Sequence, residues 1–412
     1  MKKRFMLLSL LLGFGVAVTF TACDDDDDNN DMNLENDNTN IIVTENITEN
    51  TTWENENVYQ LGGRITVEEG ATLTIEAGTV IKGEAGTGPN ATALLIARGA
   101  KIMAEGTKDE PIIFTSVADE ITPEDVAAGN FGSPNLEPVQ DGLWGGLIVL
   151  GKAPISASND DGDMSEVQIE GIPTSDPNGL YGGNDENDNS GVLKYISIRH
   201  GGSNIGEGNE INGLTLGGVG SGTVVENIEV VSNQDDGIEW FGGTVNVNNV
   251  VVWNVYDDAI DADQMWTGTL NNFMIISPGG HNFELDGPEG SEGETGDFAP
   301  YNIQNGIVIA NTDNIQSSDL INTDDNTGVH FDNIFFTAIN EGQIINRVLH
   351  DIGDVAFQNI VLNVPEENLA DYVVDGNVPN GVTAGSQPAN PAGIDISVFG
   401  WTWANEAGAT NY

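Results

Sequence analysis

The chain has 412 residues, and its 65 aspartates and glutamates outnumber 12 lysines and arginines, which gives a formal net charge of −53 at pH 7. A field of this sign repels nucleic acids and anionic lipid surfaces and attracts divalent cations, so we expect no nucleic-acid partner. Hydrophobic residues make up 39% of the chain, which is enough for a continuous core and excludes general disorder.

The N-terminus has the pattern of a secretory signal. A basic stretch at residues 2–4 precedes an apolar run at residues 5–20, so we predict a signal peptide over residues 1–22. A retained membrane anchor is the alternative. Cys23 is the only cysteine of the chain, and its place after Thr-Ala resembles the lipobox of bacterial lipoproteins. In that interpretation Cys23 is lipidated, and its acyl chains anchor the mature chain to a membrane.

Acidic and amide residues dominate the next segment. The aspartates at residues 24–28 resemble the acidic export signal of surface-exposed lipoproteins in the Bacteroidota, and a merely solvated tether is the alternative. We predict an acidic, disordered tether over residues 23–52, because this composition cannot bury apolar area. The resemblance implies an outer-membrane lipoprotein of the cell envelope that is exposed at the cell surface.

Short strand-like runs separated by glycine-containing turns follow the tether. The first runs are ITV at residues 65–67, LTI at residues 73–75 and TVI at residues 79–81. The phrase GATLTIEAGT at residues 70–79 resembles GAKIMAEGT at residues 99–107. These short repeats predict an all-β chain.

Three consecutive segments then repeat an acidic phrase at a fixed interval. They begin at Asn227, Asn249 and Asn271 and read NIEVVSNQDDGIE, NVVVWNVYDDAID and NNFMIISPGGHNFE, so their starting points differ by 22 residues. Such a period is typical of stacked solenoid coils. We therefore predict a single-stranded, right-handed parallel β-helix over residues 53–412, with coils of about 22 residues and a C-terminal cap. A β-sandwich is the competing architecture, and it predicts hairpins instead of this register. The segment at residues 399–403 either caps the helix end or docks onto another protein.

Several longer phrases together resemble a family of Bacteroidota envelope and secreted β-helix proteins. They are ITVEEGATLTIEAGTVIKG, LIARGAKIMAEGTKDEPIIFTS, LWGGLIVLGKAPI, NGLTLGGVGSGT, DDGIEWFGGTVN and DDAIDAD. The resemblance spans most of the mature chain and implies a pectin-lyase-like solenoid, but it brings no assigned biochemical function. Some members carry an automated label as multidrug transporters, and the lack of an apolar spanning segment after residue 22 gives that label no support.

Coils stacked at this pitch bring the carboxylates of successive coils into columns. Glu239, Asp261 and Glu284 fall in one column, and Asp263 and Asp286 fall in a neighbouring one. Alternate residues of a strand share a face, so Asp261 and Asp263 are expected to point the same way.

Stacked carboxylates need compensation. Paired strands lie roughly 4.8 Å apart, and two unscreened carboxylates at that distance repel by about 3–4 kcal/mol at an effective dielectric constant of about 20. A hard cation such as calcium, a proton held at raised pKa, or side chains splayed into water would each relieve the repulsion. We predict a calcium site and no organic cofactor, with splayed side chains as the alternative. The predicted metal ligands are Asp235, Glu239, Asp261, Asp263, Glu284 and Asp286.

The same region resembles the polygalacturonase-type glycoside hydrolases in the order of its motifs. Asp236, Asp257 and Asp258 would then act as acid or base, since carboxylates on neighbouring coils can reach the separations that inverting hydrolases need. His281 would support them. Those enzymes also need a basic pair after the histidine motif, whereas the only basic residue after His281 is Arg347. A cation-dependent polysaccharide hydrolase or lyase is therefore the alternative to a non-enzymatic protein.

Aromatic residues cluster around the acidic phrase, at Trp240, Trp253, Tyr256 and Trp266. Exposed rings beside carboxylates suit a sugar-binding surface, because rings stack on the apolar faces of sugars. Burial of these rings in the coil core is the alternative. The sequence thus predicts a lipid-anchored, cell-surface β-helix protein with a non-enzymatic binding or structural role, stabilised by calcium and in contact with a glycan or an envelope protein.

Overall fold

The structure is a computed structural model, and it describes residues 39–204, 211–296, 298–347 and 352–412. The predicted signal peptide, the lipidation site Cys23 and the predicted tether up to residue 38 lie outside these ranges. No helix within the ranges combines the length and the apolar character that crossing a membrane requires.

Strands dominate the described residues, with short helices between them. The first half contains β1 (Thr39–Val43), β2 (Thr51–Trp53), β3 (Asn57–Leu61), β4 (Arg64–Val67), β5 (Thr72–Ile75), β6 (Val80–Gly83), β7 (Ala93–Ile96), β8 (Lys101–Glu105), β9 (Ile112–Ser116), β10 (Leu147–Leu150), β11 (Ala157–Asn159), β12 (Gly162–Met164), β13 (Val167–Gln168), β14 (Leu180–Tyr181) and β15 (Gly191–Arg199). The second half contains β16 (Leu214–Gly217), β17 (Val224–Val231), β18 (Ile238–Phe241), β19 (Val247–Trp253), β20 (Ile260–Ala262), β21 (Thr269–Ile276), β22 (Phe283–Leu285), β23 (Tyr301–Ile309), β24 (Asn322–Thr323), β25 (Gly328–Thr337), β26 (Asp354–Gln358), β27 (Ile360–Leu362) and β28 (Val382–Ala384). The α-helices are α1 (Pro123–Ala127), α2 (Gly290–Thr295) and α3 (Trp403–Glu406), and the 3-10 helices are Gly88–Asn90, Pro177–Gly179, Glu366–Tyr372, Val374–Gly376, Pro391–Gly393 and Ile396–Phe399.

The strands form two long parallel sheets. In sheet 1 the main path runs β1-β3-β6-β9-β15-β17-β19-β21-β23-β25-β27-β28, and β2, β5, β8 and β26 pair beside it. Sheet 2 runs β4-β7-β10-β16-β18-β20-β22-β24. From β15 to β24, successive passages of the chain add one strand to each sheet, in register with the passage before. The first coils contribute two shorter strands each to sheet 1, namely β2 with β3, β5 with β6 and β8 with β9. The predicted parallel β-helix is therefore confirmed.

The long strands of sheet 1 bend at residues with positive φ. Asn227, Asn249, Asn272, Asn305 and Asn333 occupy this position in successive coils, with φ between 56° and 61°. Asparagine tolerates the left-handed region better than most residues do. The side-chain amide of Asn249 donates to Asn227 at 3.2 Å, and that of Asn272 donates to Asn249 at 2.8 Å. We call these five residues the asparagine ladder.

Apolar residues stack inside the coils in the same register. Val225, Val247, Leu270, Ile303 and Phe331 pair in order along sheet 1, and each is at most 1% exposed. Burying a side chain of this size contributes about 1.5–3 kcal/mol. The core is therefore continuous along the helix axis, as the 39% hydrophobic content allows.

The first coil begins earlier than the sequence indicates. The tether was predicted to reach residue 52, but β1 pairs in parallel with β3 from Thr39 onward. Ile41 and Val43 pack against the core, and the amide of Asn40 donates to Gln60 at 2.9 Å. Polar residues around this short apolar run obscure it in the sequence.

The acidic repeat is also less regular than its letters suggest. The third phrase aligns through Asn272 instead of Asn271, because Val250 pairs with Phe273. The interval is therefore 22 residues and then 23. One extra residue is absorbed in the turn without loss of the strand register.

The C-terminal tail, residues 385–412, runs back along sheet 1. Asn333 accepts the amide of Asn390 at 2.9 Å and donates to its carbonyl at 3.0 Å. Asn272 holds the amide and carbonyl of Asp395 in the same way, at 2.9 and 3.0 Å. A Cβ at Gly393 would lie only 2.6 Å from the side-chain oxygen of the intervening ladder residue, so this close approach requires glycine.

Further along, the tail covers a buried ion pair. Arg199 lies 3.7 Å from Glu229, and their side chains are 1% and 0% exposed. Glu229 also accepts the amide of Ala404 at 2.9 Å. The carboxylate of Glu406 then accepts the amides of residues 131 and 132, each at 3.0 Å. The last residues of the chain thus contact loops of its first third.

Candidate cation site

Sheet 2 carries a column of carboxylates on its outer face. Glu239 of β18 pairs with Asp261 of β20, and Asp261 pairs with Glu284 of β22. The neighbours of Glu239 in its strand, Ile238 and Trp240, are both buried in the coil core. The alternation of a strand therefore turns the three carboxylates outwards. We call Glu239, Asp261 and Glu284 the acidic column.

An insertion between β10 and β15 covers part of the outer face of sheet 2. Its residues Ile169, Ile172 and Tyr181 form an apolar cluster with Ile148, which lies in line with the acidic column two coils earlier. Glu239 is consequently only 6% exposed. The carboxylate of Glu239 therefore does not relieve its repulsion from neighbouring carboxylates by extending into water.

Burial and crowding favour the protonated form of the carboxyl groups around the column. Desolvation, followed by the charge of Asp261, raises the pKa of Asp236 well above its ordinary range. The pKa of Glu239 is raised by desolvation and then by Asp236, and that of Asp261 by desolvation and then by Glu239. One oxygen of each of these three residues lies within 4.8 Å of the other two. They cannot all ionise together unless a positive charge joins them.

A second column lies beside the first. Asp263, Asp286 and Asp324 each follow the sheet 2 strand of their coil. Burial, followed by the charge of Asp286, raises the pKa of Asp263 to about 7. Burial, followed by Asp324, raises the pKa of Asp286 to about 6.

The sequence analysis does not identify two carboxylates of this region, Asp324 and Glu170. Asp324 lies 38 residues after Asp286, whereas Asp286 lies 23 after Asp263, so a fixed register does not find it. Glu170 belongs to the covering insertion, and its charge contributes to the raised pKa of Asp263. Nothing in the local sequence of Glu170 signals that position.

The paired aspartates at the turns before β18 and β20 also stack. The register places Asp235 under Asp257 and Asp236 under Asp258. A carboxylate oxygen of Asp236 accepts the backbone amide of Asp258 at 2.9 Å, and Asp258 accepts the amide of His281. Two of the predicted catalytic residues, Asp236 and Asp258, therefore join one coil to the next. Asp257 is exposed at the surface.

His281, Asp258 and Glu284 form a partly accessible group. The Nδ1 atom of His281 lies 3.0 Å from Asp258 and 3.9 Å from Glu284. A hydrogen bond with Asp258, followed by burial, raises the pKa of Glu284 to about 8. Burial opposes ionisation of Asp258, but its interactions with His281 and Glu284 outweigh burial and lower its pKa. Between the two carboxyl groups, these interactions favour the proton on Glu284 and the charge on Asp258.

The donor set beside Glu239 fits a hard cation. Asn212 is 1% exposed and donates its side-chain amide to Glu239, while its carbonyl oxygen has no hydrogen-bond partner among the described residues. Carboxylate and amide carbonyl oxygens are the ligands that calcium prefers. Asn212 was missed by the sequence analysis, although it occupies the turn position of Asp236 one coil earlier. Asp236, Glu239, Asp261 and Asn212 are the residues that would hold such an ion.

Three of the four predicted sugar-binding rings are buried. Trp240 and Trp266 are at most 1% exposed and stack on each other inside the coils, with ring centroids 4.6 Å apart. Trp253 is 6% exposed and lies under Trp403 of the C-terminal tail. Tyr256 alone of the four is open to solvent, at 68%. The prediction of an aromatic surface beside the carboxylates is therefore wrong for the three tryptophans, because strand alternation and the tail enclose them.

Folding brings one arginine to the second column. Arg347 forms an ion pair with Asp324, and its charge acts to lower the pKa of Asp286. Two other basic residues of the middle of the chain, Lys194 and Arg199, belong to β15 in sheet 1. Arg347 lies a full coil after Asp324 in the sequence, which is why its placement does not follow from a motif.

The chain matches the model of a known protein family. The model for a pectate-lyase-like beta helix domain matches residues 45–402 of the chain. Neither the curated proteins nor the solved structures gave a match. The matched residues include the acidic column and every strand of the two sheets except β1.

Proposed function

This chain belongs to the family of pectate-lyase-like beta helix domains, and within that family we propose that it is a lipid-anchored envelope protein with a non-enzymatic binding role, whose acidic column holds calcium. The carboxylates of Asp236, Glu239 and Asp261 carry the proposal, because one oxygen of each lies within 4.8 Å of the other two and because Asp236 and Glu239 are buried. The unpartnered carbonyl of Asn212 supports it. The signal-like residues 1–22 and the lipobox-like site at Cys23 support the envelope location.

Calcium in this position would replace the protons that the column otherwise retains. Its two positive charges would compensate the carboxylates of Glu239 and Asp261, which pair directly across neighbouring coils. The second column offers further oxygen ligands at Asp263 and Asp286. A bound ion would thereby join several coils through side chains as well as through backbone hydrogen bonds.

A thermal unfolding series on residues 24–412 tests the cation. We expect calcium in excess to raise the midpoint of the wild-type protein by several degrees relative to chelator, since ligand at a hundred times Kd stabilises by about 2.7 kcal/mol. Magnesium should have a smaller effect, because it dehydrates reluctantly and demands octahedral geometry. The double substitution Asp261→Asn/Glu284→Gln should abolish the response.

The matched control is Asp160→Asn/Asp161→Asn, which removes two exposed carboxylates from the turn of the β11–β12 hairpin. This variant should respond to calcium as the wild type does. A wild-type midpoint that is the same in chelator, calcium and magnesium would remove the cation from the proposal.

The substitution Cys23→Ser tests the proposed lipid anchor. In a bacterial host that processes lipoproteins, the wild-type chain should fractionate with membranes, whereas Cys23→Ser should appear in the soluble fraction, because it lacks the acylated thiol. Equal fractionation of both chains would contradict lipidation at Cys23.

A polysaccharide hydrolase or lyase is the second candidate, favoured by Glu284 with a pKa of about 8 and by Arg347 beside the second column. Against it, Glu284 and Asp258 are hydrogen bonded, whereas the carboxyl groups of glycosidases lie roughly 5–5.5 or 6.5–9.5 Å apart. Release of reducing ends or unsaturated sugars from neutral or acidic polysaccharides would overturn the non-enzymatic proposal if Glu284→Gln abolished it.

A further inference from the structure

The acidic column ends in a group of side chains that includes a nitrogen donor. At the other end of the column, the ligands proposed for calcium are all oxygen atoms. Here one ligand atom each from Asp258, His281 and Glu284 lies within 4.8 Å of the other two. We call these three residues the histidine group. A site of mixed nitrogen and oxygen donors suits a different metal from a site of oxygens alone.

The strand register brings the histidine group together. The pairing of β20 with β22 places His281 over Asp258 of the previous coil, and Glu284 belongs to β22 itself. The backbone amide of His281 donates to the carboxylate of Asp258. On its other side His281 forms a backbone bridge with Asp319 of the next coil. The three side chains are therefore positioned by the regular stacking of the coils.

The Nδ1 atom of His281 faces both carboxylates. It lies 3.0 Å from Oδ1 of Asp258 and 3.9 Å from Oε2 of Glu284. Two ligands of a tetrahedral zinc ion, each bound at about 2.1 Å, are roughly 3.4 Å apart. The observed separations lie on either side of this value. Asp258 is 2% exposed, whereas the side chain of Glu284 is 37% exposed, so a change in the rotamer of Glu284 can shorten the longer separation.

The same nitrogen atom is closed to solvent and has no hydrogen-bond partner among the described residues, although two carboxylates lie near it. If Nδ1 of His281 carries no proton, its lone pair faces carboxylate oxygens, which is unfavourable unless a positive charge lies between them. A metal ion would supply that charge and would use the lone pair as a ligand. A proton on Nδ1 is the competing explanation, and it predicts no affinity for zinc.

Asn322 lies beside the histidine group in the next coil, where it pairs with Glu284. Its side-chain nitrogen is 3.4 Å from Oε1 of Glu284 and 3.4 Å from Nε2 of His281. Its carbonyl oxygen is buried and has no hydrogen-bond partner among the described residues. Half a turn of the amide would exchange these two atoms and offer an acceptor to an Nε2–H. An acceptor at Nε2 fixes the tautomer in which Nδ1 is free to bind a metal.

We propose that the histidine group is a zinc site, with Asp258, His281 and Glu284 as its protein ligands. Imidazole together with carboxylates suits zinc, whereas calcium takes oxygen ligands. Three protein ligands leave one position of a tetrahedral ion for water. The side chains of His281 and Glu284 are 24% and 37% exposed, so an ion can enter from solvent. The proposal does not rest on the calcium proposal, because the histidine group shares no residue with the calcium ligands around Asn212.

Competition with a chromophoric zinc chelator, in a large excess of calcium, tests the proposal. We expect one zinc ion to bind per chain with a dissociation constant in the micromolar range or lower. His281→Asn removes the nitrogen ligand, so affinity should fall by at least about tenfold, the smaller loss seen even for outer-shell partners. The matched control is His330→Asn, because His330 lies 3.2 Å from Asp354 at the surface but belongs to no three-ligand group among the described residues. This variant should bind zinc as the wild type does.

The imidazole nitrogen resonances identify the ligand atom directly. The chain has four histidines, and comparison with His281→Asn assigns the signals of His281. Zinc should shift the Nδ1 resonance of His281 and leave that of His330 in place. The proposal is overturned if zinc does not bind in excess calcium, if His281→Asn binds zinc as tightly as the wild type, or if the resonances of His281 do not shift.

Glu239→Gln distinguishes the zinc proposal from the calcium proposal. It removes a carboxylate beside Asn212 and leaves the histidine group intact, so it should weaken the thermal response to calcium without loss of zinc binding. His281→Asn should do the reverse, and its cooperative unfolding and retained calcium response would show that the variant folds. Zinc binding without a calcium response would remove only the calcium proposal, and a calcium response without zinc binding would remove only the zinc proposal.

Discussion

In the absence of divalent cations, the protein is expected to lose stability as the pH rises from about 4 to about 8. Most proteins gain or hold stability over this range. The difference arises because Asp263 and Glu284 have pKa values of about 7 and about 8 in the folded chain, above their ordinary values of 3.8 and 4.5. The raised pKa of Asp286, about 6, acts in the same direction.

The sign of the effect follows from proton counts. Well below their ordinary pKa values of 3.8 and 4.5, these groups are protonated in both the folded and the unfolded chain. Between pH 4 and the folded pKa values, the unfolded chain releases protons that the folded chain retains, so the free energy of unfolding falls as the pH rises. Each group lowers it by at most about 1.4 kcal/mol per pH unit. The side chain of Glu284 is 37% exposed, so solvent screening reduces its share.

Denaturant unfolding in chelator at a series of pH values measures the effect. We expect the midpoint to be highest near pH 4–5 and to decline up to pH 8, with a flatter profile for Asp263→Asn/Glu284→Gln. Calcium should flatten the wild-type profile by compensating the ionised column. The exposed pair variant Asp160→Asn/Asp161→Asn should keep the wild-type slope, and a wild-type midpoint that rises from pH 5 to 8 in chelator would contradict the assignment of protons to the column.

Replacing Arg199 with leucine is expected to lower the free energy of unfolding by about 3–5 kcal/mol, because it strands the buried charge of Glu229. Glu229 is 0% exposed and accepts hydrogen bonds from Ser197 at 2.5 Å and from the amide of Ala404 at 2.9 Å. The guanidinium of Arg199 also lies 5.0 Å from the ring centroid of Trp403. The substitution therefore removes the compensating charge and loosens the tail together.

The same strand offers a matched control for this prediction. Lys194 pairs with Glu226 at 2.7 Å across the same two strands, but both side chains are about one-third exposed, at 33% and 34%. Lys194→Leu should lower the free energy of unfolding by no more than about 1 kcal/mol. The double substitution Arg199→Leu/Glu229→Leu should recover much of the loss, since it leaves no unpaired charge. Equal losses for Arg199→Leu and Lys194→Leu in urea unfolding would show that burial of the pair is unimportant.

The stacking of the acidic column was predictable from the sequence because its causes are local. The turn residues at Asp236 and Asp258 and the β-branched runs before them repeat at 22 residues, and the strand register preserves that interval. The burial of Trp240 was equally predictable, since a strand that turns Glu239 outwards turns the next residue inwards.

The remaining features depend on contacts between distant parts of the chain. Trp253 belongs to the apolar cluster on the outer side of sheet 1, and Trp403 of the tail packs against it edge-to-face. The long coil between Asp286 and Asp324 breaks the register, which hides both Asp324 and its partner Arg347. The covering insertion that buries Glu239 is polar in much of its sequence and has no periodic signature. A local sequence pattern does not indicate such contacts, because the residues involved are separated by tens of positions or more.

The course of the C-terminal tail bears on the order in which the molecule is completed. A solenoid whose coils touch only their neighbours can form and fray at either end, one coil at a time. Here the final residues hold Asn333, then Asn272, then Glu229, and finally the loop at residues 131–132. During synthesis the N-terminal coils can stack early. The contacts of the tail along sheet 1 can form only after about the last 30 residues have been synthesised. We therefore expect the coils of the full chain to unfold in one cooperative event, whereas a chain truncated before the tail should lose coils progressively.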